Sequence, residues 1–301
     1  MFVSKLLSNK WAIFCLLVIL VLAVFGRTLW FNYVQLDEGI LLENNKFFIS
    51  DISNFFEVFK HDINYPSAVA PYYRPVFILS FMLNNQFGLG PLAYHAGNIL
   101  LHILAVFAVF VLLRELGVKK SVSTFFSALF AIHPAVTPVV AWVPGRIEAI
   151  LAIFTILSFV MFIRFLRTAH WLYLVGFLGS FAVAIFTKEV VLAILPILVF
   201  YYFMHKNEKG SEMMVTLSSG LAAIIIGWFF VRKTVLASVQ FADTPFSQMV
   251  SMFWSNSWAF ILYLGKAILP FDLAVLPTPE SSTLIYGFIA LAIIGSIYAF
   301  G

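Results

Sequence analysis

Apolar runs alternate with short polar segments along most of the chain. A helix needs about 20 apolar residues to cross a bilayer, or somewhat fewer where interfacial residues flank it. The pattern predicts seven such helices, near residues 11–31, 94–113, 121–141, 147–166, 171–187, 190–204 and 213–231. An eighth run covers 284–300, and 248–269 fits either a span or a helix lying in the interface. We therefore expect an all-α polytopic membrane protein with eight or more transmembrane helices.

Composition supports this prediction. Of 301 residues, 62% are hydrophobic and 11% are charged, and the mean hydropathy is +0.99. A water-soluble fold of this size cannot hide so much apolar surface. The first apolar run is long and lacks a small-x-small cleavage site, so we expect an uncleaved signal anchor. The single cysteine, Cys15, excludes an intramolecular disulfide.

The distribution of charge predicts the topology. With the N-terminus in the cytoplasm and the spans alternating, the inner segments are short and basic, with a net charge of +6 against −2 outside. The positive-inside rule favours this arrangement. It places a long first loop, 32–93, on the extracytoplasmic side.

That loop opens with two adjacent carboxylates, Asp37 and Glu38, directly after the first span. Charged side chains so close to hydrocarbon are costly unless they have a function or a partner. Further along, residues 51–62 have the spacing of a short amphipathic helix on the membrane surface. A stiff segment rich in proline and tyrosine then follows, "INYPSAVAPYYRP".

Polar residues also occur within predicted spans. His95, Asn98 and His102 share one helix face next to Tyr94. One polar residue in a span is often an interhelical hydrogen bond, whereas three on one face favour a wet cavity. Zinc binding is a weaker alternative because the two histidines lack the close spacing of a ligand pair.

Several basic residues stand on the outer side, against the positive-inside trend. Each could pair with a nearby acid or reach the headgroups. Together they suggest a phosphate site. The four are Arg74, Arg146, Lys188 and Arg232. The segment "HPAVTPVVAWVPGRIE" adds broken backbone at membrane depth, which is tolerated only inside protein or beside a cavity.

Five short sequence motifs occur in the same order as in one enzyme family, which they resemble. They are "FNYVQLDE", "PYYRP", "GLGPLAYHAGNILLH", "FAIHPAVTPVVAWVPGR" and "FTKE". They resemble the membrane domain of the tetratricopeptide-repeat-bearing transmembrane O-mannosyltransferases and, more distantly, the dolichyl-phosphate-mannose protein mannosyltransferases and other GT-C glycosyltransferases. The matching order covers about residues 30–275. This chain has Asp-Glu where the family usually has two aspartates, and no tetratricopeptide repeats follow. We expect one GT-C-like domain over 1–301, cut at its C-terminal end.

The resemblance implies an inverting transfer of mannose or a similar hexose. The donor would be a polyprenyl- or dolichyl-phosphate sugar, and the acceptor a hydroxyl of a protein or glycan on the extracytoplasmic side. It implies Asp37 as general base, Glu38 as an orienting group and Asp62 as a second acid. The four basic residues above would contact the donor phosphate. Further cavity residues would be Tyr73, Tyr94, His95, Asn98, His102, His133, Trp142, Glu148 and Glu189.

Some expectations stay broader. A divalent metal is possible as a cofactor, although no ligand set is decisive. We expect membrane lipids as neighbours, no nucleic-acid partner, and a bacterial or archaeal plasma membrane rather than the endoplasmic reticulum. The alternative function is a secondary transporter or flippase for an anionic or lipid-linked substrate, because transporters also have broken helices and intramembrane charges.

Overall fold

The fold is known from a computed structural model. It describes residues 9–34, 36–88, 90–205, 210–239, 245–271, 273 and 283–300. These residues form helices and turns, with no strand among them. The chain divides into two compact units, one of residues 1–132 with 139–239 and one of residues 133–138 with 240–301. Each unit is described separately.

The helices follow the predicted runs closely. Their bounds are α1 Lys10–Phe25, α2 Lys46–Ser50, α3 Pro75–Asn85, α4 Pro91–Glu115, α5 Lys120–Ala131, α6 Thr137–Ala141, α7 Arg146–Thr168, α8 Trp171–Thr187, α9 Leu195–His205, α10 Gly210–Val235, α11 Phe246–Ser255, α12 Trp258–Ile268 and α13 Ile285–Phe300. Short 3-10 segments cover Gly26–Trp30, Ile52–Phe55, Glu57–Lys60, Pro134–Val136, Val143–Gly145 and Glu189–Ile194, and a π-turn covers Gly39–Glu43.

Four helical segments are long and apolar enough to cross a membrane: Lys10–Trp30, Pro91–Glu115, Val143–Thr168 and Met214–Val235. A fifth candidate is the bent pair Lys120–Ala131 and Pro134–Ala141, where the sequence predicted a broken span. The remaining apolar helices have 10–17 residues. A multi-pass, all-helical membrane protein is thus confirmed for the described residues, and the count of eight or more spans stays a prediction.

The core of the first unit lies between α7, α8 and the segment 189–205. Phe177, Phe181 and Ile185 follow helical spacing along α8 and are fully buried. Gly176 lets the two helices approach, because a Cβ there would lie 3.1 Å from the sulfur of Met161. Small residues at close helix contacts are typical of membrane bundles. Helix α4 packs on α7.

The first loop builds a small apolar core of its own. Leu42, Ile49 and Val58 are buried against Phe77 and Phe81 of α3. The predicted amphipathic helix is instead two 3-10 turns, and the first of them begins where Asp51 accepts the Ser53 N–H at 2.9 Å. Local side-chain bonds of this kind compete with α-helix. The loop is therefore a packed cap around α3.

The junction from α3 to α4 depends on glycine. Gly88 and Gly90 have φ of 144° and 108°, which only glycine adopts readily. Pro91 then occupies the first turn of α4, where its missing N–H costs nothing. Helix α3 ends at Asn85, before these glycines, and the junction fixes the start of the helix that carries His95 and Asn98.

In the second unit, the run 248–269 is two helices, α11 and α12, separated at residues 256–257. Helix α12 packs closely on α13 through two glycines. A Cβ on Gly287 would lie 2.2 Å from the Ile261 carbonyl oxygen, and one on Gly265 would lie 2.5 Å from the Gly287 nitrogen. His133 also belongs to this unit, where its imidazole accepts the Ala135 N–H at 3.3 Å.

Candidate active site

The two adjacent carboxylates at the end of the first span lie in different environments. Asp37 is exposed, and within the part of the chain that the structure describes only its backbone carbonyl is engaged, accepting the Leu41 N–H at 2.9 Å. Glu38 is 1% exposed. Its Oε2 accepts the Leu36 N–H at 3.1 Å, while Oε1 is buried without a hydrogen-bond partner among the described residues. The Asp37 carboxylate is thus accessible to a substrate, and that of Glu38 is enclosed in the protein.

A pocket of about 440 Å³ lies on the same loop. It is lined by Tyr33, Tyr94, Glu43 and Lys46, together with the backbone at the start of α4. The two tyrosine rings lie 6.2 Å apart. Burial raises the pKa of Tyr33 above its ordinary value, and the nearby Tyr94 and Glu43 raise it further. Tyr33 therefore keeps its proton and can donate a hydrogen bond into the pocket.

Arg146 is the most enclosed charge of the site. It is 1% exposed, and its Nε donates to Asn98 Oδ1 at 2.8 Å. Its terminal nitrogens donate to Asn84 Oδ1 at 3.1 Å, the Tyr94 carbonyl at 2.7 Å and the Ser80 carbonyl at 3.3 Å. No described carboxylate forms an ion pair with it. The guanidinium stacks over Phe81 at 4.5 Å, so neutral acceptors and a ring face compensate the buried charge.

Asn98 links this arginine to the broken backbone before α7. Its Nδ2 lies within hydrogen-bond distance of the carbonyls of Val140, Trp142 and Val143, at 3.2, 3.0 and 3.3 Å. Its Oδ1 accepts from Arg146. The Pro-Gly break leaves these carbonyls without a partner in their own helix, and Asn98 of a neighbouring helix supplies the hydrogen bonds. Within a membrane, backbone carbonyls need such partners because no water reaches them.

The two histidines of α4 are also buried. His102 Nε2 lies 3.0 Å from the Ala131 carbonyl, and its ring packs edge-on against Phe25. His95 meets Phe31 edge-on, with ring centroids 6.2 Å apart. Neither nitrogen of His95 has a hydrogen-bond partner among the described residues, and its polar neighbours include backbone groups of Asn32 and Val140. Both side chains contact protein here, and the wet cavity expected for this face stays a prediction.

A second charged cluster surrounds the start of the 189–205 segment. Arg74 pairs with Glu189 at 3.1 Å and stacks over Tyr72 at 4.4 Å. Arg232 also interacts electrostatically with Glu189 and lies 5.7 Å from the centroid of the Trp228 ring. Two predicted phosphate ligands are thus brought to one carboxylate, although they lie 158 positions apart in the sequence.

Lys188 forms an ion pair with Glu148 in the first turn of α7. Glu148 also stands at the edge of a groove of about 530 Å³ between α7 and the 189–205 segment. Apart from Thr155, the rest of the groove is lined by apolar side chains, among them Leu151, Phe159, Val190, Ile194 and Ile197. An ion pair is therefore adjacent to a long apolar surface.

Three other predicted residues are Asp62, Tyr73 and Trp142, of which the first two form hydrogen bonds within the loop. Asp62 Oδ1 accepts the N–H groups of Asn64 at 2.9 Å and Ala70 at 3.1 Å, which holds the turn before the proline-rich segment. The Tyr73 hydroxyl donates to the Phe59 carbonyl at 2.9 Å, and burial raises its pKa to about 12. Trp142 keeps its indole nitrogen buried without a partner among the described residues.

Sequence reasoning missed several contributors. Ser80 and Asn84 of α3 hold Arg146, and Tyr33, Glu43 and Lys46 line the loop pocket. Asn84 gave a usable signal, since it belongs to a polar "NNQ" that ends an apolar helix. The described residues contain no group of three or more histidine, cysteine, aspartate or glutamate side chains that could hold a metal ion.

Comparison with known proteins gives a partial match. No family model and no solved structure matches the chain. Protein O-mannosyl-transferase Tmtc1 of Drosophila melanogaster is 42% identical over 77 residues, which is 25% of this chain and 9% of that protein. Human TMTC3 is 37% identical over 83 residues, covering 27% and 9%. Human TMTC4 is 33% identical over 141 residues, covering 39% and 19%. The chain resembles the protein O-mannosyl-transferases.

This confirms the resemblance drawn from the five sequence motifs. The match to the protein O-mannosyl-transferases is local: the aligned segments cover 9% to 19% of these three relatives. The chain therefore spans less than a fifth of the length of the curated relatives it matches, and the activity of the whole proteins is carried over below only as a proposal.

Proposed function

We propose that the chain is an inverting glycosyltransferase of the GT-C type, with one domain of eight or more transmembrane helices. It transfers mannose or a similar hexose from a polyprenyl- or dolichyl-phosphate donor to a hydroxyl acceptor, a serine or threonine of a protein, on the extracytoplasmic side. The names of the relatives, protein O-mannosyl-transferases, supply the reaction class. The observation that carries the proposal is the accessible Asp37 carboxylate beside the buried Glu38, directly after the first span.

In this mechanism the acceptor oxygen attacks the anomeric carbon of the donor. The bond from that carbon to the phosphate oxygen breaks, its electron pair goes to the phosphate, and the acceptor proton passes to Asp37. A hydroxyl is a weak nucleophile at neutral pH, and a positioned base contributes about 10²–10⁴-fold in rate. One displacement inverts the anomeric configuration. The lipid phosphate leaves as a stable anion, so a general acid is not needed.

Arg74, Lys188 and Arg232 are the proposed phosphate ligands. Glu189 interacts with both arginines, and Glu148 pairs with the lysine. The side chains of the two acids are 37% and 45% exposed, whereas those of Arg74 and Lys188 are 15% and 22% exposed. Each pair thus meets solvent through its acid, and pairs exposed to solvent contribute only about 0–1 kcal/mol. A donor phosphate can therefore replace a carboxylate at small cost. The acids keep the basic side chains oriented until the donor arrives.

Arg146 has a positioning role in this proposal. Its N–H groups already have four acceptors on α3 and α4, and the contact with the Ser80 carbonyl, at 3.3 Å, is the longest of them. The fifth N–H of the guanidinium, on the nitrogen that donates to Ser80, is not used in these contacts. The side chain is only 1% exposed, however, so a direct phosphate contact, as the sequence suggested, requires the surrounding protein to open. Arg146 and Asn98 instead fix the start of α7, and with it Glu148.

The apolar groove beside Glu148 suits the hydrocarbon part of the donor. Burial of a polyprenyl chain in the groove stabilises the bound donor by about 25 cal/mol per Å² of apolar area removed from water. The groove runs along α7 from the ion pair. A single donor molecule can therefore place its phosphate near Lys188 and its polyprenyl chain along Leu151 and Ile194.

The loop pocket suits the acceptor. Tyr33 and Tyr94 offer aromatic faces, and Glu43 and Lys46 offer charged hydrogen-bonding groups on the same surface. The π-turn that carries Glu43 begins one residue after Glu38. An acceptor in this pocket thus reaches the site from the loop side, while the lipid donor reaches it along α7.

The test is sugar transfer by the purified chain. The protein, in nanodiscs, receives radiolabelled polyprenyl-phosphate mannose and a peptide rich in serine and threonine. We expect label in the peptide, with the anomeric configuration opposite to that of the donor, as read by linkage-specific mannosidases. Empty nanodiscs and heat-treated protein are the controls.

Two results would contradict the proposal. If the protein binds the donor but transfers sugar to no hydroxyl acceptor, the enzymatic function is excluded. If the product keeps the anomeric configuration of the donor, the single-displacement mechanism is excluded, because retention requires a second displacement.

A further inference from the structure

Two buried side chains beside the candidate base carry polar atoms to which the mechanism above gives no role. Glu38 is 1% exposed and His95 is 0% exposed. Glu38 Oε1 and both ring nitrogens of His95 have no hydrogen-bond partner among the described residues. Buried polar atoms without a partner are rare in native proteins, and each one calls for an explanation. Their occurrence together in one site indicates that the two side chains act on each other.

Both side chains lie against the segment that carries Asp37. The His95 ring, near the start of α4, meets Phe31 edge-on with ring centroids 6.2 Å apart. Its polar neighbours include the backbone of Asn32, and Glu38 interacts with it electrostatically. His95 thus interacts with both ends of the segment 31–38, and Asp37 stands one residue before the end of that segment.

Glu38 in turn holds the backbone around Asp37. Glu38 Oε2 accepts the Leu36 N–H at 3.1 Å, which closes a short turn with Asp37 at its centre. The Asp37 carbonyl accepts the Leu41 N–H at 2.9 Å. The backbone of Asp37 is therefore held by the Glu38 carboxylate on one side and by the following turn on the other. A change in the position of that carboxylate changes the direction of the Asp37 side chain.

The charges around the two side chains favour a neutral imidazole. The buried Arg146 guanidinium interacts electrostatically with His95, and a second buried positive charge beside it is costly. Tyr33, which interacts electrostatically with Glu38, keeps its proton. A neutral imidazole has one N–H donor and one acceptor nitrogen. His95 can therefore donate one hydrogen bond to the Glu38 carboxylate, whose negative charge balances that of Arg146.

We propose that His95 is a positioning residue for sugar transfer. It donates a ring N–H to Glu38, directly or through one water molecule, and so holds the segment 31–38 on α4 with the Asp37 carboxylate facing the acceptor. A bridging water is nearly as favourable as a direct hydrogen bond. This role rests on the proposed function, because Asp37 is the base only in that mechanism.

Nitrogen NMR of the full chain in nanodiscs tests the pair without any substrate. The six histidine residues are isotope-labelled, and His95→Gln identifies the signals of His95. We expect these signals to report a neutral ring and to shift in Glu38→Gln. His102 is the matched control, because it is buried in the same helix and its Nε2 lies 3.0 Å from the Ala131 carbonyl. Its signals should stay unchanged. Unchanged His95 signals in Glu38→Gln would overturn the pair.

The rate of sugar transfer tests the positioning role. His95→Phe keeps a flat ring beside Phe31 but has no N–H, whereas His95→Gln keeps an N–H donor. We expect His95→Phe to lower kcat about tenfold, which corresponds to the loss of one hydrogen bond to a charged group, with the KM of the donor unchanged. His95→Gln should retain most of the parental kcat. Equal losses in the two variants would overturn the proposed donor role of His95.

A double-mutant cycle separates positioning through Glu38 from an independent effect of His95. Glu38→Leu removes the acceptor. In that background, His95→Phe should lower kcat by less than about twofold further, because residues that act through each other are not additive. A further tenfold loss would overturn the role. A parent protein that binds the donor and transfers no sugar would contradict the proposed function instead, and the NMR comparison would still decide whether His95 and Glu38 interact.

Discussion

Replacement of Arg146 by lysine separates the two roles that this side chain could have. If Arg146 anchors α3 and α4 to the start of α7, the substitution lowers the stability of the fold. If it contacts the donor phosphate, the substitution lowers donor affinity while the fold is unchanged. Lysine keeps the charge but loses the planar fork of the guanidinium.

The structure sets the size of the effect. The guanidinium uses three nitrogens to reach Asn98, Asn84, Tyr94 and Ser80. An ammonium has one nitrogen, which cannot reach acceptors on both sides of the network. At least two bonds are lost, each contributing about 1.5–3 kcal/mol because the donor is charged. We therefore expect the free energy of unfolding of Arg146→Lys to fall by about 3–5 kcal/mol, the usual cost of disrupting a buried charged network.

The protein is unfolded in mixed micelles by raising the fraction of denaturant, and the transition gives the free energy of unfolding of Arg146→Lys and of the parent. Arg114→Lys is the control, because Arg114 is exposed and donates to a single backbone carbonyl, that of Val118. It should change the free energy by less than about 0.5 kcal/mol. Donor affinity is measured on the same preparations. Parental stability of Arg146→Lys together with a large loss of donor affinity would refute the anchoring role and establish the phosphate contact.

Three further predictions follow from other contacts. Asn98→Ala leaves three carbonyls and Arg146 without their partner, so the free energy of unfolding should fall by about 2–4 kcal/mol; an unchanged denaturation midpoint would contradict this. Gly287→Val should separate α12 from α13 and speed proteolysis of the second unit, whereas Gly295→Val, with no atom near its Cβ, should not. Equal proteolysis rates of the two variants would contradict this prediction. The raised pKa of Tyr73, about 12 against 10, means that its contribution to stability is complete below pH 10 and is lost as the pH rises through about 12. Tyr73→Phe should flatten that decline in an alkaline unfolding series, and an identical slope would contradict the assignment.

The sequence predicted the parts of the fold that depend on local pattern. The spans near 11–31, 94–113, 147–166 and 213–231 were found because continuous apolar runs have few alternatives to a spanning helix. Proline and glycine marked the break before α7. The loop helix over 51–62 was wrong in detail, because Asp51 and its neighbours form short 3-10 turns that periodicity does not distinguish from a helix.

The site was predicted as a set of residues but not as an arrangement. Asp37 and Glu38 are neighbours with the same charge, and only the packing of the loop makes one exposed and the other buried. The partners of Arg146 come from positions 48 to 66 residues away, so no local pattern could identify it as an anchor. In the same way, the charge pattern predicts Arg74 and Arg232 on one side of the membrane, but their convergence on Glu189 depends on tertiary structure.

Sugar transfer by Asp37→Asn tests the central claim most directly. The substitution keeps the shape of an exposed side chain whose carboxylate has no structural bond in the described residues. We expect transfer from polyprenyl-phosphate mannose to fall by about 10²–10⁴-fold, with thermal unfolding of the same preparation unchanged. Glu38→Gln should lower transfer less, because Glu38 is enclosed and orients the loop. A well-folded Asp37→Asn protein that transfers sugar at the parental rate would contradict the account and leave Asp62 as the next base to test.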